Sequence, residues 1–580
     1  MDHTGRRTDI CNRPEQFLGS YEFVATTHYC KNGAMPKEPA FIFMLDVSYS
    51  AVQSGLVSIF CRNIRSLLNS LPRESGQEKS SIRVGFATYD QAVHFYNLKN
   101  VAEQPEMLVV SDVNDVFVPF VDVDGYSLNF CNFSERLSLL TEIEKMFAET
   151  RCTETILGPV IQAGLDALKI ILQPGTDFYS KLAEECVKNG CAVDLFLFPN
   201  SYIDVASLAP ICVITGGTMY KYHYFEGPKD GSRFLADLAH DISRDIAFDA
   251  MMRVRTSTGL RATNFCGSFY MDNSTDMEMG VIDSDKAVHV ELRHDDKLPD
   301  GSAYIQTAIL FTTCSGQRRL RIHNIALAVS SEYSHLYRLA DPDCLVSFLL
   351  KQAEFLVREK TPQEMRDAIT HRCAQMLATY REKCNEQVPV GQLILPESLK
   401  LLPLFGNCII KNDAVSGGND MTVDDRSWMM QMICSLRIED ALLLLYPSVS
   451  MPAYIRASFD NFSHDKAYII YNGIIMFLWI GLQVPQTWIQ DIFNSNSVSH
   501  LNVENHIIPE RDNTSSRGLR RIIDRINSGR ARYMKLFIIR QQDALEAWMK
   551  KFLVEDRSSA MPSYVDFLCN IHREIRTLLS

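Results

Sequence analysis

The hydrophobic pattern of this chain changes its period near residue 250, and that change constrains the fold more than any other feature. Upstream, apolar runs typical of buried parallel strands, such as 40–46, alternate with stretches in which apolar residues recur every three or four positions. Downstream, over 250–329, short β-rich runs follow one another closely. A chain of 580 residues is also too long to fold around a single hydrophobic core. We therefore predict an α/β domain followed by an all-β sandwich or barrel.

The α/β domain is predicted over 40–247, and the sandwich over 248–330. A strand-like run at 20–26 lies before the α/β domain, so we expect the segment 1–39 to join the sandwich sheet. The α/β domain would then be inserted in the sandwich.

The alternation of strands and helices breaks once inside the α/β domain. A predicted helix at 156–171 is followed by another at 177–189 with no strand between them. Parallel sheets need such alternation. We expect one strand to be missing, as an apparent internal deletion near 170–176.

The rest of the chain predicts a helical domain over 331–440, a second and smaller α/β module over 441–555 and a C-terminal helix over 556–580. The apolar stretch 467–484 contains Asn472-Gly473, which is a strong hairpin signal. A strand–turn–strand pair is therefore expected there instead of a membrane span.

Composition excludes several classes of function. The net charge of −12 argues against a nucleic-acid partner. The 16 cysteines include no Cys-x-x-Cys pair, and the N-terminus lacks the apolar core of a signal peptide, so we expect reduced thiols in the cytosol. No phosphate-binding loop, nucleophile elbow or zinc-protease motif occurs, which favours a binding role over an enzyme.

The pattern Asp46-Val-Ser48-Tyr-Ser50 follows a buried strand and is similar to the first part of the metal-ion-dependent adhesion site of von Willebrand A domains. Thr153 or Thr155 could add a further hydroxyl, but no second acid is apparent. Oxygen ligands of such low charge hold Mg²⁺ weakly. We expect no metal here, and Asp46 and Ser48 to cap the next helix.

Arg253 and Arg255 lie two positions apart in a predicted strand, so their side chains project from one face. Neighbouring guanidinium groups can bind carboxylates through forked hydrogen bonds. A solvated sheet face or internal ion pairs are the alternatives. The basic segment 517–535 could likewise face phospholipid head groups or simply solvate a helix.

The chain resembles the cargo-adaptor family of the COPII vesicle inner coat, closer to its C/D type than to its A/B type. Segments in the family's order carry the resemblance: 41–50 (FIFMLDVSYS), 193–199 (VDLFLFP), 252–261 (MRVRTSTGLR), 317–324 (QRRLRIHN), 392–397 (QLILPE) and 564–569 (YVDFLC). It implies a von Willebrand A-like trunk inserted in a β-sandwich, then a helical domain and a gelsolin-like module.

The resemblance also implies partners and a location. These are the GTPase-activating inner-coat subunit, reached through the trunk, the small coat-recruiting GTPase indirectly, and an acidic membrane surface. The protein would act in the cytoplasm, peripherally on endoplasmic reticulum exit sites and COPII vesicles, packaging cargo for the Golgi without being an enzyme.

In that family, arginines of the sandwich strand and the N-terminal segment receive acidic sorting signals of cargo and fusion proteins. Arg253 and Arg255 match the strand, and Arg13 and Arg7 the N-terminal segment. The family's zinc module is absent, so no cofactor is expected, and a fragment, an isoform or an incomplete gene model all stay open. Two alternative functions also stay open, the GTPase-activating sister subunit and a metal-dependent adhesion domain.

Overall fold

The computed structural model describes residues 13–97, 106–111, 138–157, 178–201, 203–299, 301–357, 360–385, 389, 391–417, 421–450, 453–501, 503, 506–558 and 561–580. The chain divides into two compact units, Met1–Val329 and Ser330–Ser580. Within the described ranges, no helix is both long and apolar enough to cross a bilayer.

The first unit combines parallel and antiparallel strands with a set of short helices. Its strands are β1 (Ser20–Val24), β2 (Ala40–Asp46), β3 (Arg83–Tyr89), β4 (Val93–Asn97), β5 (Glu106–Val110), β6 (Leu195–Leu197), β7 (Met219–Lys221), β8 (Ile246–Thr256), β9 (Leu260–Cys266), β10 (Asp276–Asp283), β11 (His289–His294), β12 (Ser302–Thr312) and β13 (Arg318–Ala328). Its helices are α1 (Tyr49–Gln53), α2 (Leu56–Leu67), α3 (Ser138–Met146), α4 (Phe178–Lys188), α5 (Val205–Leu208), α6 (Pro210–Thr215) and α7 (Gly227–Ser243).

The trunk strands form two separate sheets among the described residues. One has the order β2-β3-β4-β5, with β2 parallel to β3, and the other is the parallel pair β6-β7. Helices α2 and α7 pack against each other, and Phe60, Ile64, Phe234 and Leu238 supply buried apolar side chains from them. The helix predicted at 156–171 and the gap near 170–176 lie mostly outside the described residues.

The sandwich is built around an antiparallel sheet with the strand order β1-β13-β12-β8-β10. Strand β1 pairs with β13, Ser20 lying opposite His323, so the N-terminal segment joins a sheet whose other strands follow the trunk. The predicted insertion of the trunk in the sandwich is confirmed. Methionines of β8 and β10, with Phe311 of β12, form its core.

The second unit contains helices followed by a small sheet. Its helices are α8 (Tyr333–Leu339), α9 (Pro342–Val357), α10 (Pro362–Cys384), α11 (Leu402–Lys411), α12 (Asp413–Ser416), α13 (Val423–Ser435), α14 (Ile438–Leu445), α15 (Gln486–Phe493), α16 (Thr514–Asn527), α17 (Glu546–Lys550) and α18 (Tyr564–Leu579). Its strands are β14 (Ser448–Ser450), β15 (Tyr454–Ile455), β16 (Ala467–Tyr471), β17 (Ile475–Ile480) and β18 (Lys535–Arg540).

Strands β16 and β17 form the hairpin that Asn472-Gly473 predicted, and the glycine has the positive φ of 87° that such turns need. The sheet order is β15-β14-β16-β17-β18. A multidomain fold of α/β, all-β and all-α parts is therefore confirmed, while the domain boundaries above stay predictions.

Candidate functional site

Arg253 and Arg255 lie on β8, which pairs with β10 on one side and β12 on the other. Their odd-numbered positions place both on one face of the sandwich sheet. The opposite face carries Met252 and packs into the core. The predicted arrangement of two neighbouring guanidinium groups on one sheet face is therefore present.

Arg253 is engaged by an acid of the same sheet. Its Nε and Nη2 atoms donate to the two carboxylate oxygens of Asp276, which lies directly opposite on β10. Asn273 Nδ2 donates to the same carboxylate at 3.1 Å. The guanidinium holds the pKa of Asp276 below its ordinary value, and burial opposes this. The Arg253 side chain stays 42% exposed, but its charge already has a partner.

Arg255 is exposed and has no carboxylate at ion-pair distance within the part of the chain that the structure describes. Its Nη1 donates to Gln306 Oε1 at 3.3 Å, and Gln306 Nε2 donates to Asn324 Oδ1 at 3.0 Å. Asn324 Nδ2 lies 3.5 Å from Tyr21 Oη. Neutral polar groups thus line the sheet from β8 to β1 beside the exposed Arg255, whose guanidinium forms no ion pair with a described acid.

Of the two N-terminal arginines, only Arg13 lies within the described residues. Arg13 precedes β1, and its Nη1 lies 3.2 Å from Glu15 Oε1. Gly19 O accepts from Asn324 N–H, and Asn324 lies in register with Gln306 and Arg255 across the sheet. Gly19 is therefore three strand spacings, about 14 Å, from Arg255. Arg7 lies outside the described residues, and the role of both N-terminal arginines stays a prediction.

The candidate metal ligands come together, but they bond to one another. Asp46 Oδ1 accepts from Ser48 N–H at 2.8 Å, and Asp46 Oδ2 accepts from Thr155 Oγ1 at 3.2 Å. Ser48 Oγ lies 3.2 Å from Ser50 Oγ. Ser48 is the N-cap residue of α1, and its backbone N–H donates to Asp46, but no side chain caps the helix, so the predicted capping by Asp46 and Ser48 is wrong. The described residues bring together no group of three or more His, Cys, Asp or Glu suited to a metal ion.

The basic segment 517–535 begins on α16. Arg517, Arg521 and Arg525 are exposed and recur every four residues, so they lie on one face of the helix. Arg517 is paired with Asp512 at 2.6 Å. A positively charged, exposed helix face is present. It fits both interpretations of the sequence, contact with phospholipid head groups and solvation of a helix.

Sequence reasoning missed the residues that distinguish the two arginines. Arg253 forms an ion pair with Asp276, whereas Arg255 bonds to the neutral side chain of Gln306. These two contacts depend on the strand register across β10, β8 and β12. The only available signal was an acid at the start of a short apolar run, which predicts no particular partner.

The model of the Sec23/Sec24 trunk domain matches two stretches, residues 36–176 and 171–242. The Sec23/Sec24 β-sandwich and helical domain models match 247–330 and 341–443, respectively. A gelsolin repeat model matches 448–523. Among solved structures, the human COPII-coat protein Sec24c superimposes with a TM-score of 0.92 at 44% identity, covering 100% of this chain and 82% of that one.

Curated relatives agree with the family models. Human Sec24C is 45% identical over 634 residues and human Sec24D 42% over 633, with 100% of this chain aligned to each. The Arabidopsis thaliana SEC24 B is 32% identical over 633 residues. The chain spans 58% and 61% of the two human proteins. These relatives favour neither the GTPase-activating sister subunit nor an adhesion domain. The chain therefore belongs to the Sec24 family, in its C/D branch.

Proposed function

We propose that this chain acts as a COPII coat subunit that binds acidic sorting signals on cytosolic tails and packages the tail-bearing proteins for transport from the endoplasmic reticulum to the Golgi. One observation carries the site assignment: Arg255 is exposed on a β-sheet, and no carboxylate of the described residues lies at ion-pair distance from it. Membership of the Sec24 family supports the role in the coat.

The proposed mechanism is binding without chemical turnover. A planar guanidinium can donate two parallel hydrogen bonds to one signal carboxylate, and because its fork of donors is planar, less entropy is lost for each hydrogen bond formed. Gln306 and Asn324 offer amide groups to the neighbouring peptide backbone. A single exposed contact of this kind is weak, so affinity would come from many subunits assembled on one membrane.

The Asp276→Asn substitution tests whether the internal acid limits this site. Removing its charge releases Arg253, so a signal could then meet two uncompensated guanidinium groups instead of one. We expect the affinity for acidic-tail peptides to rise about three- to tenfold, since one charge-assisted hydrogen bond contributes about 1 kcal/mol or more. Fluorescence anisotropy with a labelled acidic peptide measures this.

The Asp295→Asn substitution is the matched control, because Asp295 also pairs with an arginine, Arg261, in the same sandwich. It should leave the peptide affinity unchanged. Equal effects of the two substitutions would show a general change in charge rather than release of Arg253, and would contradict the site.

The GTPase-activating inner-coat subunit is the proposed partner through the trunk, and β5 offers a suitable surface. Among the described residues this strand pairs only with β4, so it is the last strand of that described sheet. Met107, Leu108 and Val109 are exposed by 37%, 39% and 52%, and an apolar edge strand is typical of a protein interface. The small coat-recruiting GTPase would be an indirect partner of this chain.

The Val109→Lys substitution should weaken binding of that subunit at least tenfold, since a charged side chain on an edge strand opposes strand pairing and desolvation. Biolayer interferometry with the purified partner measures the loss. Val24→Lys, on the exposed edge strand β1 of the sandwich, is the control and should have no effect. A partner that binds both variants as well as the native chain would rule out β5.

The exposed arginine face of α16 supports a peripheral contact with an acidic membrane. With the proposed coat role, it supports a location in the cytoplasm, on endoplasmic reticulum exit sites and vesicles.

A further inference from the structure

The turn between β8 and β9 carries an exposed threonine just beyond the arginine pair of the sandwich. Thr258 and Gly259 form the tip of this turn, and Gly259 has a positive φ of 94°. Leu260 N–H donates to Ser257 O at 3.2 Å and closes the turn below them. Because Thr258 is exposed at a turn tip, an enzyme can reach its hydroxyl group from solvent.

The residues before this threonine form a pattern that protein kinases recognise. Arg255 lies three positions before Thr258, and Arg253 lies five positions before it. Both arginines project from one face of the sheet; Arg255 is exposed, and the Arg253 side chain is 42% exposed. Kinases select their substrates by charge patterns, and basophilic kinases read basic side chains at these two positions. The pattern and the exposure together make Thr258 a candidate acceptor of a phosphate.

A phosphate on Thr258 would lie near the one arginine of this hairpin that has no described acid at ion-pair distance. Arg253 and Arg261 already pair with acids of the sandwich, whereas Arg255 bonds to a neutral amide. Three residues of extended chain span at most about 10 Å, which the side chains of Arg255 and phosphothreonine can close between them. A phosphate carries about −1.5 to −2 charges at pH 7 and accepts strong hydrogen bonds from a guanidinium.

We propose that Thr258 is a phosphorylation site and that its phosphate pairs with Arg255 and closes the binding site to acidic signals. A basophilic protein kinase transfers the γ-phosphoryl group of ATP to Thr258 Oγ1. The bond between this oxygen and phosphorus forms, the bond from phosphorus to the β-phosphate oxygen breaks, ADP leaves, and the hydroxyl proton passes to the catalytic base of the kinase. The effect on signals rests on the proposed function, whereas the modification and its pairing with Arg255 do not.

The first experiment incubates the full chain with ATP and a purified basophilic kinase and maps the phosphate by mass spectrometry. We expect Thr258 to be modified. Thr577 is the matched control, because it is also exposed but has Glu574 and His572 three and five positions before it. It should stay unmodified. A chain without phosphate on Thr258, or with Thr577 modified as fast, would overturn the proposal.

The second experiment uses full chains in which phosphothreonine is incorporated during synthesis at position 258 or 577, so that no kinase is needed. Anisotropy with a labelled acidic-tail peptide should show at least a tenfold loss of affinity for the form modified at 258, because the guanidinium donors are then engaged by the phosphate. The form modified at 577 should bind like the unmodified chain. Equal affinity of the 258 form and the unmodified chain would overturn the proposal, whereas a peptide that fails to bind the unmodified chain would contradict the proposed function.

Phosphorus NMR tests the pairing without any peptide. A neighbouring guanidinium favours the dianion of the phosphate, so replacing Arg255 by glutamine should raise the second pKa of the phosphate at 258 by about half a unit. Circular dichroism verifies that the Arg255→Gln variant folds. A phosphate whose pKa is the same in the native chain and in Arg255→Gln does not pair with Arg255, and that result would overturn the proposal.

Discussion

The Arg244→Met substitution will lower the free energy of unfolding of the first unit by about 3–5 kcal/mol, because it removes the cation from a buried group of acids. The Arg244 side chain is 1% exposed and contacts Asp194, Asp241 and Asp283 at 3.3, 2.5 and 3.0 Å. Burial raises the pKa of Asp241 to about 7, and the guanidinium opposes that rise. Methionine keeps the length of the side chain but leaves these carboxylates short of a partner.

The Arg261→Met substitution is the control for this effect. Arg261 pairs with Asp295 at 2.6 Å, but both side chains are exposed to solvent, which screens the pair, so the loss should be much smaller than for Arg244→Met. Urea unfolding monitored by hydrogen exchange of β8 and β10 separates the first unit from the second. Equal losses of unfolding free energy for the two variants would contradict this, because the buried network around Arg244 would then stabilise the first unit no more than a surface ion pair does.

The Trp479→Ala substitution is expected to cost the second unit about 3–5 kcal/mol, the usual loss for a large aromatic side chain removed from a core. Trp479 on β17 is fully buried, with the rings of Phe459, Phe462 and Tyr468 within 6.0 Å. Its Nε1 donates to Glu546 Oε1 at 2.8 Å, so alanine would leave both a cavity and a buried carboxylate without this donor.

The same substitution at Trp488 gives a direct comparison. Trp488 lies on α15, is only partly buried and packs edge-on against Phe493, with ring centres 6.3 Å apart. Its removal should cost less than half as much. Hydrogen exchange of β16 during urea unfolding reports both variants, and a Trp488 loss as large as that at Trp479 would contradict the assignment of the core.

Local signals predicted much of this fold. Asn472-Gly473 specifies its own turn. The strand-like run of β1 has no strand before the trunk to pair with, which is why it was predicted to join the sandwich sheet. Strand β10 was not predicted, because Gly280 interrupts it and acids flank it. The structure explains the glycine: a Cβ there would lie 2.0 Å from Cys191 O. That close approach depends on tertiary packing and has no local sequence signature.

The binding site was predicted less completely than the fold. The spacing of Arg253 and Arg255 determines that they share a face, since strand side chains alternate. Which of them keeps a free charge depends on Asp276, 23 residues along the chain, and on the register between β8 and β10. Pairing register is a property of the folded sheet, so the sequence pattern predicted the same role for both arginines. In the structure their partners differ.

A charge exchange at Arg255 tests the central claim most directly. The affinity of the native chain and of Arg255→Glu is measured by anisotropy for an acidic-tail peptide and for the same peptide with its acids replaced by lysine. We expect Arg255→Glu to lose at least tenfold in affinity for the acidic peptide and to gain affinity for the lysine peptide. Unchanged binding of the acidic peptide by Arg255→Glu would contradict the proposed site.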